Sequence, residues 1–345
     1  MANIKDVARL AGVSLGTVSN VLNHPDRVSQ ELRERVERAI DDLGFVRNEP
    51  ARQLRAGQSR TIAVVVLDIA NPFFADLIAG AEDAAAEQGA QVIVCNSNGD
   101  PAREAGHLQY LGQQRVLGIL LSPIQEAVAA QLLAARRNSP PVVFVDRVPA
   151  GPGFASVSVD DVHGGALVGE LFTAAGHERV TYLGGPHTLR QVSDRLHGLR
   201  STFRGGEIDV VAAPELTIRA GAAALGELLA RPADRRPQAL FCANDLLAIG
   251  AVNAATRLGI AVPDDLTIVG YDDIDFAETA GVALTTVRQP ARTIGRRAAE
   301  LLLREVTDGA EPTSLVFKPE LVIRSSSLPV TAAVAGPPPD RSAGQ

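Results

Sequence analysis

From Thr61 onward, short unbroken apolar runs recur along the chain. "TIAVVVL", "QVIVC", "LGILL" and "PVVFVD" precede residue 147; "VTYLGG", "ALFCA", "TIVGYDD" and "ALTTVRQ" follow. Longer stretches of helical periodicity separate them. A strand with one wet face alternates apolar and polar residues, so unbroken runs predict parallel strands covered on both faces by helices. Two such sets predict two α/β subdomains. In open sheets of this kind ligands bind beyond the carboxyl ends of the strands. Polar residues cluster there: "DIANPFF" after the first run, "DR" after the fourth, then "AND" at 243–245 and "YDD" at 271–273. Turn formation alone accounts for any one of them, because Asn, Asp and Pro are common after strands.

The first sixty residues follow a different pattern. Ile4, Val7, Ala8 and Ala11 keep helical spacing behind Asn3 and Asp6, a capping box with Asp in place of Glu. The spacing predicts a helix over 4–11, a turn at Gly12 and a second helix capped by Ser14. If Val18, Val21 and Leu22 turn inward, Leu15, Gly16, Ser19 and Asn20 point away from the core. A third helix is expected between Ser29 as cap and Gly44, with Leu32, Val36, Ile40 and Leu43 as its stripe. A short helix, a tight turn and another short helix suit either a packing hairpin or a DNA-reading element. The following "NEPARQLRAGQSR", residues 48–60, is polar and basic, with Leu54 as its one large apolar residue. Such a leucine is scattered surface, or it is kept for a partner, as in the apolar wedges of minor-groove binders.

Charge sharpens the division. The chain of 345 residues carries a formal −7, yet residues 1–60 hold ten Lys and Arg against eight Asp and Glu. A small basic module on a larger acidic body fits this asymmetry. No apolar run reaches the ~18 residues of a membrane span, and "MANIKDVARLAG" lacks the apolar region of a signal peptide. Cys95 and Cys242 lie in apolar runs without metal-ligand spacing, as reduced core residues of a cytoplasmic protein would. Enzyme signatures are missing: "VVVLDIANPFF" has no glycine for a dinucleotide loop, no Walker lysine follows "LGGPHTLRQ", and no G-x-S-x-G elbow occurs. No cofactor and no metal are expected.

The run "IKDVARLAGVSLGTVSNVLN", with "VS" at 28–29, "LGF" at 43–45 and "NEPARQLRAG", resembles the LacI/GalR family of bacterial transcriptional regulators. The resemblance extends through the polar strand ends to nearly the whole chain. It implies a helix-turn-helix headpiece over 1–47, a hinge helix and linker over 48–60, and a two-subdomain, doubly wound core like the periplasmic binding proteins over 61–328. The Pro/Gly/Ala-rich stretch 329–345 is expected to be disordered. In the headpiece the family's base-reading positions fall on Leu15, Gly16 and Asn20, and its minor-groove wedge on Leu54, flanked by Ala51 and Arg55. Asn20 is the one polar reader, able to pair with adenine, and Leu15 suits a thymine methyl. Thr17 and Ser19 are better placed to position phosphates. Arg47 stands where many relatives have Pro, and Pro50 falls inside the hinge helix, tolerable in its first turn.

In the core, the family's effector residues map to Asn71, Phe73, Phe74, Asp146, Arg195, Asn244, Asp272 and Gln289. A ring against the C–H face and paired donors and acceptors on the hydroxyls suit a sugar-like ligand. Arg195 and Asp272 are expected to compensate one another. Leu216 replaces a second aromatic of many relatives, which removes one wall for a purine or a doubly stacked pentose. The implied function is a ligand-responsive repressor that binds a pseudo-palindromic operator as a homodimer, with tetramers open. The alternatives are a transporter's solute-binding protein, disfavoured by the headpiece, and a regulator answering to a purine or nucleoside.

Overall fold

The computed structural model describes residues 2–45, 59–125, 140–149, 153–186 and 189–327. Its backbone divides into two units, Met1–Gln58 and Ser59–Gln345.

The first unit holds α1 (Ile4–Ala11), α2 (Leu15–Asn23) and α3 (Gln30–Leu43). The capping box forms as the spacing predicts: Asn3 Oδ1 accepts from the Lys5 and Asp6 N–H groups, and Asp6 Oδ2 accepts from Asn3 N at 3.0 Å. Gly12 ends α1 in the left-handed region, with φ +62°, where a side chain would be strained. Ser14 caps α2, its Oγ accepting from Thr17 N at 3.0 Å. Ser29 occupies the N-cap of α3 but its side chain makes no capping bond. Val7, Ala8, Ala11, Val18, Val21, Val36 and Ala39 form the small core, with Ile40 and Leu43 only partly covered. The α3 stripe is therefore centred on Val36 and Ala39. Arg35 Nη2 donates to Ala11 O at 2.6 Å and ties α3 to the end of α1.

The second unit contains two six-stranded sheets. One runs β11–β5–β4–β3–β1–β2, built from β1 (Thr61–Val66), β2 (Gln91–Asn96), β3 (Gly118–Leu121), β4 (Val142–Val145), β5 (Ala155–Val159) and β11 (Ser314–Phe317). The other runs β12–β10–β9–β8–β6–β7, built from β6 (Arg179–Gly184), β7 (Glu207–Ala212), β8 (Ala239–Cys242), β9 (Thr267–Asp272), β10 (Thr285–Arg288) and β12 (Glu320–Val322). Neighbours pair in parallel, as the unbroken apolar runs require, except that β12 runs antiparallel to β10.

Helices cover both sheets: α4 (Pro72–Glu87), α5 (Pro101–Gln114), α6 (Asp161–Ala174), α7 (Arg190–Thr202), α8 (Ile218–Leu229), α9 (Asp245–Arg257), the short α10 (Asp275–Thr279) and α11 (Ala291–Asp308). The chain passes between the sheets after β5, after β10 and between β11 and β12. Thus α11, late in the sequence, returns to pack against α4 and the first sheet. That contact is backbone to backbone: a Cβ on Gly80 would sit 1.9 Å from Arg292 O, and one on Gly295 1.8 Å from Leu77 O. The crossovers leave the carboxyl ends of β1, β4, β8 and β9 around one space.

Candidate functional site

That space is a cavity of about 630 Å³, and all eight effector residues expected from the sequence line it: Asn71, Phe73, Phe74, Asp146, Arg195, Asn244, Asp272 and Gln289. Local structure fixes each of them. Asn71 is the N-cap of α4: its Oδ1 accepts from Phe73 N at 3.1 Å. This turns the amide nitrogen outward, where it donates to Asp272 Oδ2 at 3.2 Å. The rings of Phe73 and Phe74 meet edge to face at 5.1 Å and form an apolar wall. Asn244 is the N-cap of α9, bonded to Leu247 N, while its Nδ2 donates to Leu216 O at 3.3 Å. Leu216 itself lines the cavity, an aliphatic side chain where many relatives carry a ring.

Asp272 sits in a strained turn. Its φ is +114° and that of Asp273 is +56°, conformations that cost of order 1–3 kcal/mol each outside glycine. Surrounding bonds hold them. Asp273 pairs with Arg288 at 2.6 Å and Arg324 at 2.7 Å. The buried Asp245 accepts from Ile274 N at 3.0 Å and from Thr286 Oγ1 at 2.6 Å. The turn thereby presents the Asp272 carboxylate to Asn71 on one oxygen and to Gln289 Nε2, 2.7 Å away, on the other.

Arg195 pairs with Asp272 as expected, and more closely with a second carboxylate. Its close carboxylate is Asp161, with Nε to Oδ1 at 2.8 Å, while Asp272 lies at 3.9 Å from Nη1. Nη1 donates to Ala243 O at 2.6 Å, and the guanidinium carbon stands 3.7 Å over the Tyr271 ring. The reason lies in the crossover: Asp161 opens α6 directly after β5 and reaches the inner face of α7. Asp146, at the end of β4 with φ +60°, accepts on Oδ2 from Gln191 Nε2 at 3.1 Å. Gln191 Oε1 in turn accepts from Arg147 Nη2 at 3.1 Å. Sequence reasoning misses Gln191 and Asp161, because a Gln or an Asp in the first turn of a helix carries no signal of its own.

Burial pushes the Asp146 carboxyl up to about 7, with Asp161 adding to the rise and Arg195 opposing it. Burial also pushes Asp272 up to about 6, against the pull of Arg195, Asn71 and Gln289. Asp161 and Asp245 are raised by burial as well.

In the first unit, Leu15, Gly16 and Asn20 are exposed on α2, with Leu15 at 45%. Thr17 and Ser19 are half-buried, and the Thr17 hydroxyl is bonded to Ser14 Oγ at 2.9 Å. Ala51, Leu54 and Arg55 lie outside the described residues. No helix among the described residues is long and apolar enough to cross a membrane.

Comparison with known proteins agrees with this layout. Residues 3–48 match the family described as bacterial regulatory proteins, lacI family, and residues 170–327 match a periplasmic binding protein-like domain. The HTH-type transcriptional repressor PurR of Photobacterium profundum is 34% identical over 333 residues, 94% of this chain and 98% of that protein. A solved complex of the transcriptional regulator CelR with cellobiose is 33% identical, with a TM-score of 0.67 over 94% of this chain and all of that one. The lac repressor dimer bound to operator and the anti-inducer ONPF is 29% identical, with a TM-score of 0.82 over 95% of this chain and 99% of that one.

Proposed function

Because the chain belongs to the lacI family of bacterial regulatory proteins, we propose that it is a ligand-responsive transcriptional repressor that binds a pseudo-palindromic operator as a homodimer and answers to a small sugar-like effector. It is a binding protein of the cytoplasm and not an enzyme. Residues 1–47 form the headpiece, 48–60 the hinge and linker, 61–328 the effector core and 329–345 the tail. On DNA, Leu15, Gly16 and Asn20 meet base edges, Thr17 and Ser19 the backbone, and Leu54 with Ala51 and Arg55 the minor groove.

The observation that carries the reading is the convergence of eight residues, spread from Asn71 to Gln289, on one cavity between the two sheets. A ring of polar groups beside a two-ring apolar wall is what orienting a hydroxyl-rich ligand requires. Leu216 in the wall counts against a purine or a doubly stacked pentose, either of which would lose one ring. A solute-binding protein would have no use for the capped helices of residues 3–43.

Selection of double-stranded DNA from a random pool tests this directly. A two-fold symmetric motif is expected, with half-sites set by two headpieces. A motif without symmetry, or none, would remove the dimeric operator reading. Sedimentation at micromolar concentration should accordingly show no monomer.

A further inference from the structure

The donors and acceptors of the cavity limit what can enter it, given that this cavity is the effector site. Among the described residues, two buried atoms of lining side chains have no partner, Asp146 Oδ1 and Gln289 Oε1. The amide oxygen is an acceptor, and so is the carboxylate oxygen when Asp146 is ionised. Several donors of the wall are already committed: Asn71 Nδ2 and Gln289 Nε2 to Asp272, Asn244 Nδ2 to Leu216 O, Gln191 Nε2 to Asp146, and Arg195 Nε to Asp161. Charge points the same way. Among the described residues, the charged side chains around the cavity are Asp68, Asp146, Glu215 and Asp272 against Arg195 alone, and Arg195 is already matched by Asp161 at 2.8 Å and by Asp272 at 3.9 Å. Arg147, which does not line the cavity, donates to Gln191.

We infer that the cavity takes a ligand that is rich in hydroxyl donors and free of anionic groups, and that it rejects the phosphorylated form of the same molecule. A hydroxyl can donate to each orphaned acceptor. A phosphate brings further acceptors and nearly two negative charges. Among the described residues, the wall it would meet has its one cation already paired and buries two carboxylates. Unpaired buried charge is the costliest mismatch a site can hold.

The test is calorimetry and thermal unfolding of the full chain with matched pairs: ribose and ribose 5-phosphate, glucose and glucose 6-phosphate, fructose and fructose 6-phosphate, adenosine and its monophosphate. At least one neutral member should bind, at least ten-fold more tightly than its phosphate. Asp146→Asn should narrow that ratio several-fold. A phosphate that binds as tightly as its parent overturns the inference while leaving the cavity as the effector site. A ratio unmoved by Asp146→Asn overturns it too. A panel in which nothing binds overturns both the inference and the assignment of the cavity.

Discussion

Asn71 and Asp272, 201 residues apart, share a 3.2 Å hydrogen bond that joins the start of α4, over the first sheet, to the end of β9 in the second. One side chain thus caps a helix and grips a carboxylate across the cavity. Asn71→Ala removes both bonds. Loss of a cap costs ~1 kcal/mol of stability. Effector affinity should fall about ten-fold, the equivalent of ~1.4 kcal/mol, with operator affinity unchanged. Calorimetry and fluorescence anisotropy on the same preparation check the two halves. Wild-type effector affinity in the variant would contradict the role.

Arg195 has a structural partner as well as a place in the wall. Arg195→Ala leaves Asp161 buried without its cation, and breaking such a pair costs about 3–5 kcal/mol. The unfolding midpoint should drop sharply. Replacing both partners, Arg195→Met with Asp161→Leu, should recover much of that stability without restoring the effector response. A response regained by the double variant would show that the guanidinium does not serve the ligand.

Buried carboxylates give the core an unusual pH dependence. Asp146 titrates near 7 and Asp272 near 6 in the folded chain, above the ~3.9 of a solvated Asp. The native state therefore keeps protons that the unfolded chain releases. The stability this contributes is fully present below about pH 4 and is lost progressively as pH rises to about 6 to 7. Asp146→Asn should be more stable than wild type at pH 8, with the advantage shrinking below pH 7 and gone only near pH 4. Thermal unfolding of both proteins across that range decides it. A constant difference would contradict the raised titration of the buried Asp146.

On the headpiece, Asn20 is exposed and packs in no core, so Asn20→Ala should leave the unfolding midpoint where it is. Operator affinity should fall by about 1–3 kcal/mol, the scale of one bidentate base contact. Affinity for random DNA, supplied by phosphate contacts, should stay the same. Equal losses on both DNAs would make Asn20 a backbone contact.

The legible parts of this molecule are those where local chemistry and tertiary role coincide. The capping box at Asn3 and Asp6, the Ser14 cap and the eight apolar strands follow from spacing and hydropathy alone. β5 is hidden in the sequence because "ASVSV" buries two serines, and Ser156 finds its partner in Ser314 of β11, 158 residues away. β7 and β12 are edge strands with half-exposed residues and no apolar run. In the cavity, Asn71 and Asn244 are legible through the family resemblance, and the structure shows that each caps a helix after a strand. Gln191 and Asp161 are not legible, because their roles are set by Asp146 and Arg195, which only the crossovers bring near. The same long-range geometry gives Arg195 a second and closer carboxylate, Asp161, beside the expected Asp272.

The central claim is that a ligand in the cavity alters DNA binding by the headpiece. The direct measurement is the anisotropy of a labelled duplex carrying the selected operator, titrated with the chain at one salt concentration, with and without the neutral sugar that binds most tightly. The dissociation constant should shift at least ten-fold with the sugar, and Asp272→Asn should abolish the shift while keeping the sugar-free value. Identical operator affinity with and without saturating sugar would contradict the account.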